Sequence, residues 1–162
     1  MNSILDKNTI TSILNLQGSP LIDAGIAGRQ LEVIRKGFNY LRQDGANALY
    51  IADEVGLGKT YIALGIASLL RHFSSAPHTY QDVIVVPKEN LQYKWEKEIK
   101  QFIKYNYLQE DNRVKSVLGS PVGDILKKDV LAPLQEDHPA YHLYRNSQFS
   151  MGLILSGESR KA

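Results

Sequence analysis

The chain has no cysteine, and that absence removes disulfides, thiolate zinc sites and cysteine nucleophiles together. Histidine is sparse as well. Of His72, His78, His138 and His142, only the last two stand close, at a spacing of four; in a polar stretch such a pair is expected at the surface rather than on a metal. No apolar run approaches the roughly 20 residues that span a bilayer, so no membrane is expected as a partner. The opening residues Met1-Asn2-Ser3-Ile4-Leu5-Asp6-Lys7 lack the basic-then-apolar layout of a signal peptide, which makes a cytoplasmic location the default expectation. Excess charge is scarce too: a net charge of +2 is too small to establish a nucleic-acid partner by itself. Neither an internal repeat nor a low-complexity tract is present. What is there is 162 residues, 43% hydrophobic and 22% charged, the makeup of one compact globular domain around one core.

One stretch carries chemistry. Residues 48–52, Ala-Leu-Tyr-Ile-Ala, are apolar and read as a strand covered on both faces. They lead into Asp53-Glu54-Val55-Gly56-Leu57-Gly58-Lys59-Thr60 and then a helical run. Gly56 and Gly58 allow the backbone to curl so that successive N–H groups point inward, and the helix that follows offers its unpaired first-turn donors and positive dipole end to a polyphosphate. The pattern Gly-x-x-x-x-Gly-Lys-Ser/Thr fails by one residue, because Asp53 stands where it has its first glycine. The turn glycines, the lysine and the hydroxyl are all retained. Lys59 would reach the β- and γ-phosphates of ATP, and Thr60 would ligate Mg2+. The plain alternative is an ordinary strand-to-helix turn with a solvated lysine.

Around this stretch the spacing predicts further elements. Residues 9–16 form a short helix started by Thr9 and stopped by Gln17-Gly18-Ser19-Pro20. Residues 21–28 are a connector. A helix then carries Leu31, Ile34, Phe38 and Leu41 on one stripe. Residues 59–72 are apolar nearly all round, as in a buried helix. Residues 82–87, Asp-Val-Ile-Val-Val-Pro, read as a second buried strand ended by proline. Residues 90–104 form an amphipathic helix with Leu91, Trp95, Ile99 and Phe102 or Ile103 inward. Its lysines Lys94, Lys97, Lys100 and Lys104, with Lys88 before it, are diluted by Glu89, Glu96 and Glu98, and a solvated face with a Glu96–Lys100 pair accounts for them. Later, 114–118 reads as a third strand, 124–134 as a helix, 135–148 as a loop or insertion and 149–155 as a fourth strand. Strand, helix, strand, helix argues for an α/β fold with a parallel sheet whose ligand sits at the carboxyl ends of its strands.

Three blocks in order now resemble the first RecA-like lobe of the Swi/Snf-like ATPases of helicase superfamily two: Gln30 at the head of a helix, 52–60, and Val83-Ile84-Val85-Val86-Pro87-Lys88 followed by Leu91 and Trp95-Glu96-Lys97-Glu98. The resemblance implies an incomplete RecA-like phosphate-loop domain over 21–162, its parallel sheet flanked by helices, behind a helical segment over 1–20. It implies ATP and Mg2+ as cofactors, with Gln30, Glu54, Val55, Gly56, Leu57, Gly58, Lys59 and Thr60 around the nucleotide and Thr60 on the metal. Gln30 would read the adenine edge, since an amide offers a donor and an acceptor at once; its alternative is a polar residue at a helix start. Lys88 and Asn90 would touch double-stranded DNA, with Asn90 otherwise a helix cap, and Trp95 would lie in the core.

The Asp-Glu-x-His string that holds magnesium and places the attacking water in such ATPases does not follow Lys59. The expectation is therefore a truncated lobe with no catalytic residue of its own, unable to hydrolyse ATP alone, and completed in the full-length protein or by a separate chain carrying the second RecA-like lobe. A non-catalytic module that docks on a partner is the competing expectation. A small nucleotide kinase is a weaker one, for want of acceptor-site residues.

Overall fold

A computed structural model describes residues 4–20, 22–52, 58–126 and 139–149. By its contacts the chain divides into two compact units, Met1–His78 with Gln101–Glu110, and Thr79–Lys100 with Asp111–Ala162.

In the first unit, helix α1 (Lys7–Ile13) starts from Asp6, whose carboxylate accepts the Thr9 amide at 2.8 Å. The helix thus begins two residues before the Thr9 start expected, because the aspartate is the better-placed cap. Leu14 then turns extended and bridges Tyr107 antiparallel, while the Asn106 side-chain amide donates to the Asn15 carbonyl at 2.7 Å. Helix α2 (Ala24–Leu41) begins inside the expected connector, since Asp23 accepts the Gly25 amide at 2.8 Å and caps it. Its buried stripe is Ala27, Gln30, Ile34, Gly37 and Phe38, the step of three and four that faces one side. Helix α3 (Lys59–His72) buries more than half of its circumference, from Tyr61 and Ile62 to Leu69 and Arg71, and leaves Ala63, Ala67 and Leu70 half-buried.

Helices α2 and α3 run alongside each other in the same direction. A β-carbon at Gly65 would lie 2.5 Å from Ile34 Cδ1, one at Gly37 would lie 2.8 Å from Ile66 Cδ1, and the Phe38 and Phe73 rings meet at 5.6 Å. Two glycines at the contact let the helices approach more closely than larger residues would allow.

Residues 48–52 are not a strand. Ala48, Leu49, Tyr50 and Ala52 are exposed, Tyr50 at 89%. An apolar run is a buried strand only where a ladder partner and covering layers exist. Among the described residues none pairs with it, and the segment borders a groove lined by Val33, Gly37 and Tyr40 of α2.

In the second unit, β1 (Asp82–Val86) pairs in parallel with β2 (Tyr141–Arg145), from Asp82 opposite Tyr141 to Val86 opposite Arg145. The parallel pairing and flanking helices give an α/β arrangement. Asp82 and Val86 are buried, whereas Val83 and Val85 are exposed, so β1 is not covered on both faces as its sequence suggested. β2 falls within the expected loop 135–148 and places His142 in the interior rather than at the surface; His138 lies outside the described residues. Residues 114–118 belong to helix α5 (Asn112–Gly119), not to a strand. Asp111 accepts the Arg113 and Val114 amides to start it, and Val114 and Val117 face inward three apart.

Of the helix expected over 124–134, Asp124 and Ile125 are in a turn and Leu126 bridges Leu143 in parallel. The rest of it lies outside the described residues, as does the expected strand 149–155 after Phe149, which is itself helical.

Helix α4 (Glu89–Tyr105) crosses from the second unit to the first after Lys100. Its buried side is Gln92, Glu96, Ile99, Phe102 and Ile103, while Trp95 is only half-buried, which corrects its expected place in the core. Glu96, expected on a solvated face, is 2% exposed. Both its oxygens accept the Gly123 amide at 2.9 Å and Lys100 Nζ stands 3.1 Å away. The expected pair forms, but in the interior.

Candidate nucleotide site

Gly58 stands where the loop becomes helix α3. Its φ of +75° and ψ of 41° are left-handed, a conformation that costs a residue with a β-carbon roughly 1–2 kcal/mol. A side chain would also displace a neighbour, because a β-carbon there would lie 2.3 Å from Gln30 Nε2 and the amide would have to move away. Gln30 is 3% exposed on the inner stripe of α2. The tight run of α2 along α3, with Ile34 against Gly65 one turn later, sets this register, so the Gln30 amide meets the loop at the start of the helix.

The helix end has the right polarity for an anion. The Gly58 carbonyl already accepts the Tyr61 and Ile62 amides at 2.9 and 3.1 Å, and Gly58 has no side chain with which to cap. First-turn N–H groups have no carbonyl ahead of them within a helix. There is no acid in this first turn to compete for the positive end, and Arg71 and His72 complement the opposite one. Lys59 and Thr60 open the helix, both half-buried. The structure thus brings Gln30, Gly58, Lys59 and Thr60 together in one unit. Glu54, Val55, Gly56 and Leu57, with Asp53, lie outside the described residues.

Lys88 and Asn90 belong to the second unit and are exposed. The Lys88 carbonyl accepts the Leu91 and Gln92 amides at 3.1 and 3.3 Å, which puts Lys88 at the head of α4. Asn90 therefore lies inside the first turn of the helix, two places too far to be its cap.

Sequence reasoning missed the inward turn of Glu96, which decides which charges on α4 face solvent. Its signal was available: Gln92, Glu96, Ile99 and Ile103 lie at steps of four, three and four, as helical a spacing as the four, four and three of Leu91, Trp95, Ile99 and Phe102, and polarity argued for the wrong one of two overlapping stripes. Among the described residues no group of histidines and carboxylates is placed to hold a metal ion, and no helix is long and apolar enough to cross a membrane.

The family model described as Type III restriction enzyme, res subunit, matches residues 25–129. No curated protein and no solved structure matches the chain. The match takes in Gln30, Gly58, the whole of α3, β1 and α4, and covers well over half of the 162 residues. The chain belongs to this family, and its matched part is an ATP-binding N-terminal domain of the helicase superfamily two type.

Proposed function

We propose that the chain is the nucleotide-binding part of the first lobe of a DNA-dependent, Swi/Snf-like translocase, over 21–162, with 1–20 as a helical segment preceding it. The observation that carries the reading is the placement of Gln30 against Gly58 at the head of α3. The residues present suit ATP with Mg2+: a left-handed glycine where a side chain would be strained, an amide beside it, and a lysine and a hydroxyl on the first turn of a largely buried helix. In this reading Gln30 meets the adenine edge, the backbone from Glu54 to Gly58 turns toward the phosphates, Lys59 neutralises the β- and γ-phosphates, and Thr60 ligates Mg2+. ATP supplies a transferable phosphoryl group, and Mg2+ draws charge from it. The chain's own part is to bind and orient.

A placed water and neutralisation of developing charge are needed for transfer, and loss of an arginine finger alone slows it by about a thousandfold or more. Because no Asp-Glu-x-His string stands among residues 60–162, these residues by themselves bind ATP and turn it over at background, and hydrolysis depends on carboxylates and arginines supplied from outside them, the arginines by a second RecA-like lobe. Double-stranded DNA meets Lys88 and Asn90.

Fluorescent ATP titrated with Mg2+ tests this. Lys59→Ala is expected to weaken binding about tenfold to a hundredfold, the effect of removing a charge-assisted hydrogen bond, with an unchanged melting temperature. A wild type without affinity, or a variant that binds as well as the wild type, overturns the proposal.

A docking module has its own support in the exposed Leu49, Tyr50, Val83 and Val85. Absence of ATP affinity together with stable association to a partner would favour it.

A further inference from the structure

Of the acids that dilute the lysines of α4 in the sequence, one turns inward and the other two border the lysines' side of the helix. Glu96 faces inward, held by the Gly123 amide and Lys100. Glu89 meets Arg145 at 3.1 Å. Besides Glu89, which that ion pair engages at the edge of the face, the residues exposed to solvent from α4 in the second unit are Asn90, Tyr93, Lys94 and Lys97, separated by three, one and three residues and so aligned on one stripe. The buried residues Gln92, Glu96 and Ile99 form the opposite side. Glu98, one turn beyond Lys94, borders the stripe and is half-buried. Lys88, also exposed, heads the helix. Among the described residues Lys88, Lys94 and Lys97 make no ion pair.

A helix face left open by the described residues, with a row of lysines that make no ion pair among them, calls for a partner with a row of negative charge. From Asn90 to Lys97 the stripe runs about 10 Å along the axis, at about 1.5 Å per residue. A nucleic acid presents regularly repeated phosphates over such a distance, and each lysine that meets one releases a condensed counterion. Lysine as a compact point charge suits a phosphate, the Asn90 amide can donate to phosphate oxygens, and Tyr93, 48% exposed, offers a ring to a sugar or an unstacked base.

We infer that the outward stripe of α4, Asn90, Tyr93, Lys94 and Lys97, is a contact surface for the phosphodiester backbone of a nucleic acid, extending the contact at Lys88 along the helix. The inference rests on the reading of the chain as the lobe of a DNA-dependent ATPase and adds a second set of contacts to it.

The test is fluorescence anisotropy of the whole chain with a labelled duplex DNA and, in a second arm, the same duplex as RNA, across a series of salt concentrations. For Lys94→Ala/Lys97→Ala the slope of log K against log salt is expected to become shallower by about 1.8, from ~0.9 per phosphate contact, with affinity at low salt reduced about tenfold or more. Lys7→Ala/Lys36→Ala removes the same charge from α1 and α2 and is expected to keep the wild-type slope. Tyr93→Ala is expected to weaken a single-stranded probe several-fold and to leave the slope alone. Binding of RNA but not DNA supports the surface and names RNA as its source. A wild type that binds neither, a stripe variant with the wild-type slope, or an equal change in the control overturns the inference. ATP affinity measured in the same samples separates the two readings: a wild type that binds nucleic acid through the stripe but no ATP sinks the proposed function and leaves this surface standing.

Discussion

Helices α3 and α4 are of similar length and use their sides in opposite ways. α3 buries Tyr61, Ile62, Leu64, Gly65, Ile66, Ser68, Leu69 and Arg71, residues that take up more than half of its circumference, with the small or apolar Ala63, Ala67 and Leu70 half-buried on the rest, so the polar surface it has to offer is chiefly at its end. That end is the turn at Gly58, Lys59 and Thr60. α4 buries one stripe, and polar groups are among the residues it buries: Gln92 Nε2 donates to the Leu143 carbonyl at 3.1 Å, and Glu96 is held by Gly123 and Lys100. It therefore keeps a flank for solvent. The contrast teaches how one α/β chain can divide two kinds of anion between a helix terminus and a helix side, and which packing each requires.

The contrast breaks most severely at Glu96. Glu96→Ala leaves the Gly123 amide without its acceptor and the half-buried Lys100 ammonium with the Ser120 carbonyl but no countercharge, and removing one partner of such a pair costs about 2–4 kcal/mol, reduced from the fully buried case because a lysine stem can carry its charge toward water. The expected result is a fall in melting temperature of many degrees, with Glu96→Gln, which still accepts from Gly123, intermediate. An alanine variant that melts with the wild type would mean that α4 does not depend on its buried carboxylate.

A smaller effect tests the other helix. Gly65→Ala places a methyl 2.5 Å from Ile34 Cδ1 and overpacks the α2–α3 contact by about 1–3 kcal/mol. Ile34→Val removes that methyl from the opposing side. The double variant is expected to recover much of the loss, a coupling that only residues in contact show. If the two changes simply add, the glycine is not what sets the approach of the helices. Because this approach also seats Gln30 against Gly58, the single variant is expected to weaken ATP binding more than its stability loss accounts for, as a ratio of affinities measured well below the melting temperature.

What could be read from the residues follows the same division. The α2 stripe through Ile34 and Phe38, the buried α3 and the helix start at Lys59 are local patterns, set by steps of three and four and by one glycine, and a sequence displays them directly. The stretch 48–52 misled because burial is not a local property: Ala-Leu-Tyr-Ile-Ala is apolar enough for an inner strand, yet Tyr50 is 89% exposed. β2 failed in the opposite sense. Tyr-His-Leu-Tyr-Arg alternates poorly and ends on charge, and it is a strand because β1 lies along one edge while Leu126 bridges the other at Leu143. At 114–118 the valines are β-branched and argued for a strand, but the Asp111 cap and the three-residue step from Val114 to Val117 decide for a helix. For the site, the glycine turn before Lys59 was legible by type and spacing, whereas Gln30 came only from the resemblance; that Gln30 lies against Gly58 depended on the helix register and was not legible.

The smallest effect comes from a carboxylate that resembles Glu96 in its partners but not in its surroundings. Glu32 on α2 stands 2.7 Å from Arg35, 3.4 Å from Lys7 of α1 and 3.8 Å from Lys36, yet it is partly open to solvent. The hydrogen bond from Arg35, aided by its charge and by Lys7, holds the Glu32 carboxyl down at about 2. A carboxyl depressed in the folded state contributes stability that is present above its unfolded value and is lost as pH falls through its folded one. The window therefore runs from the ordinary glutamate range, 4.5, down to about 2. Glu32→Gln is expected to lower the melting temperature slightly at neutral pH and to match the wild type at the acid limit, so that its curve of melting temperature against pH is the flatter of the two across that window. High salt should shrink the difference, as it does for exposed pairs, whereas the loss in Glu96→Ala should persist in salt. Parallel acid curves for Glu32→Gln and the wild type would show that the tie from α1 to α2 owes nothing to this carboxylate and rests on Asn39, whose side-chain amide donates to the Leu5 carbonyl at 3.1 Å and whose oxygen accepts the Leu5 amide at 2.8 Å.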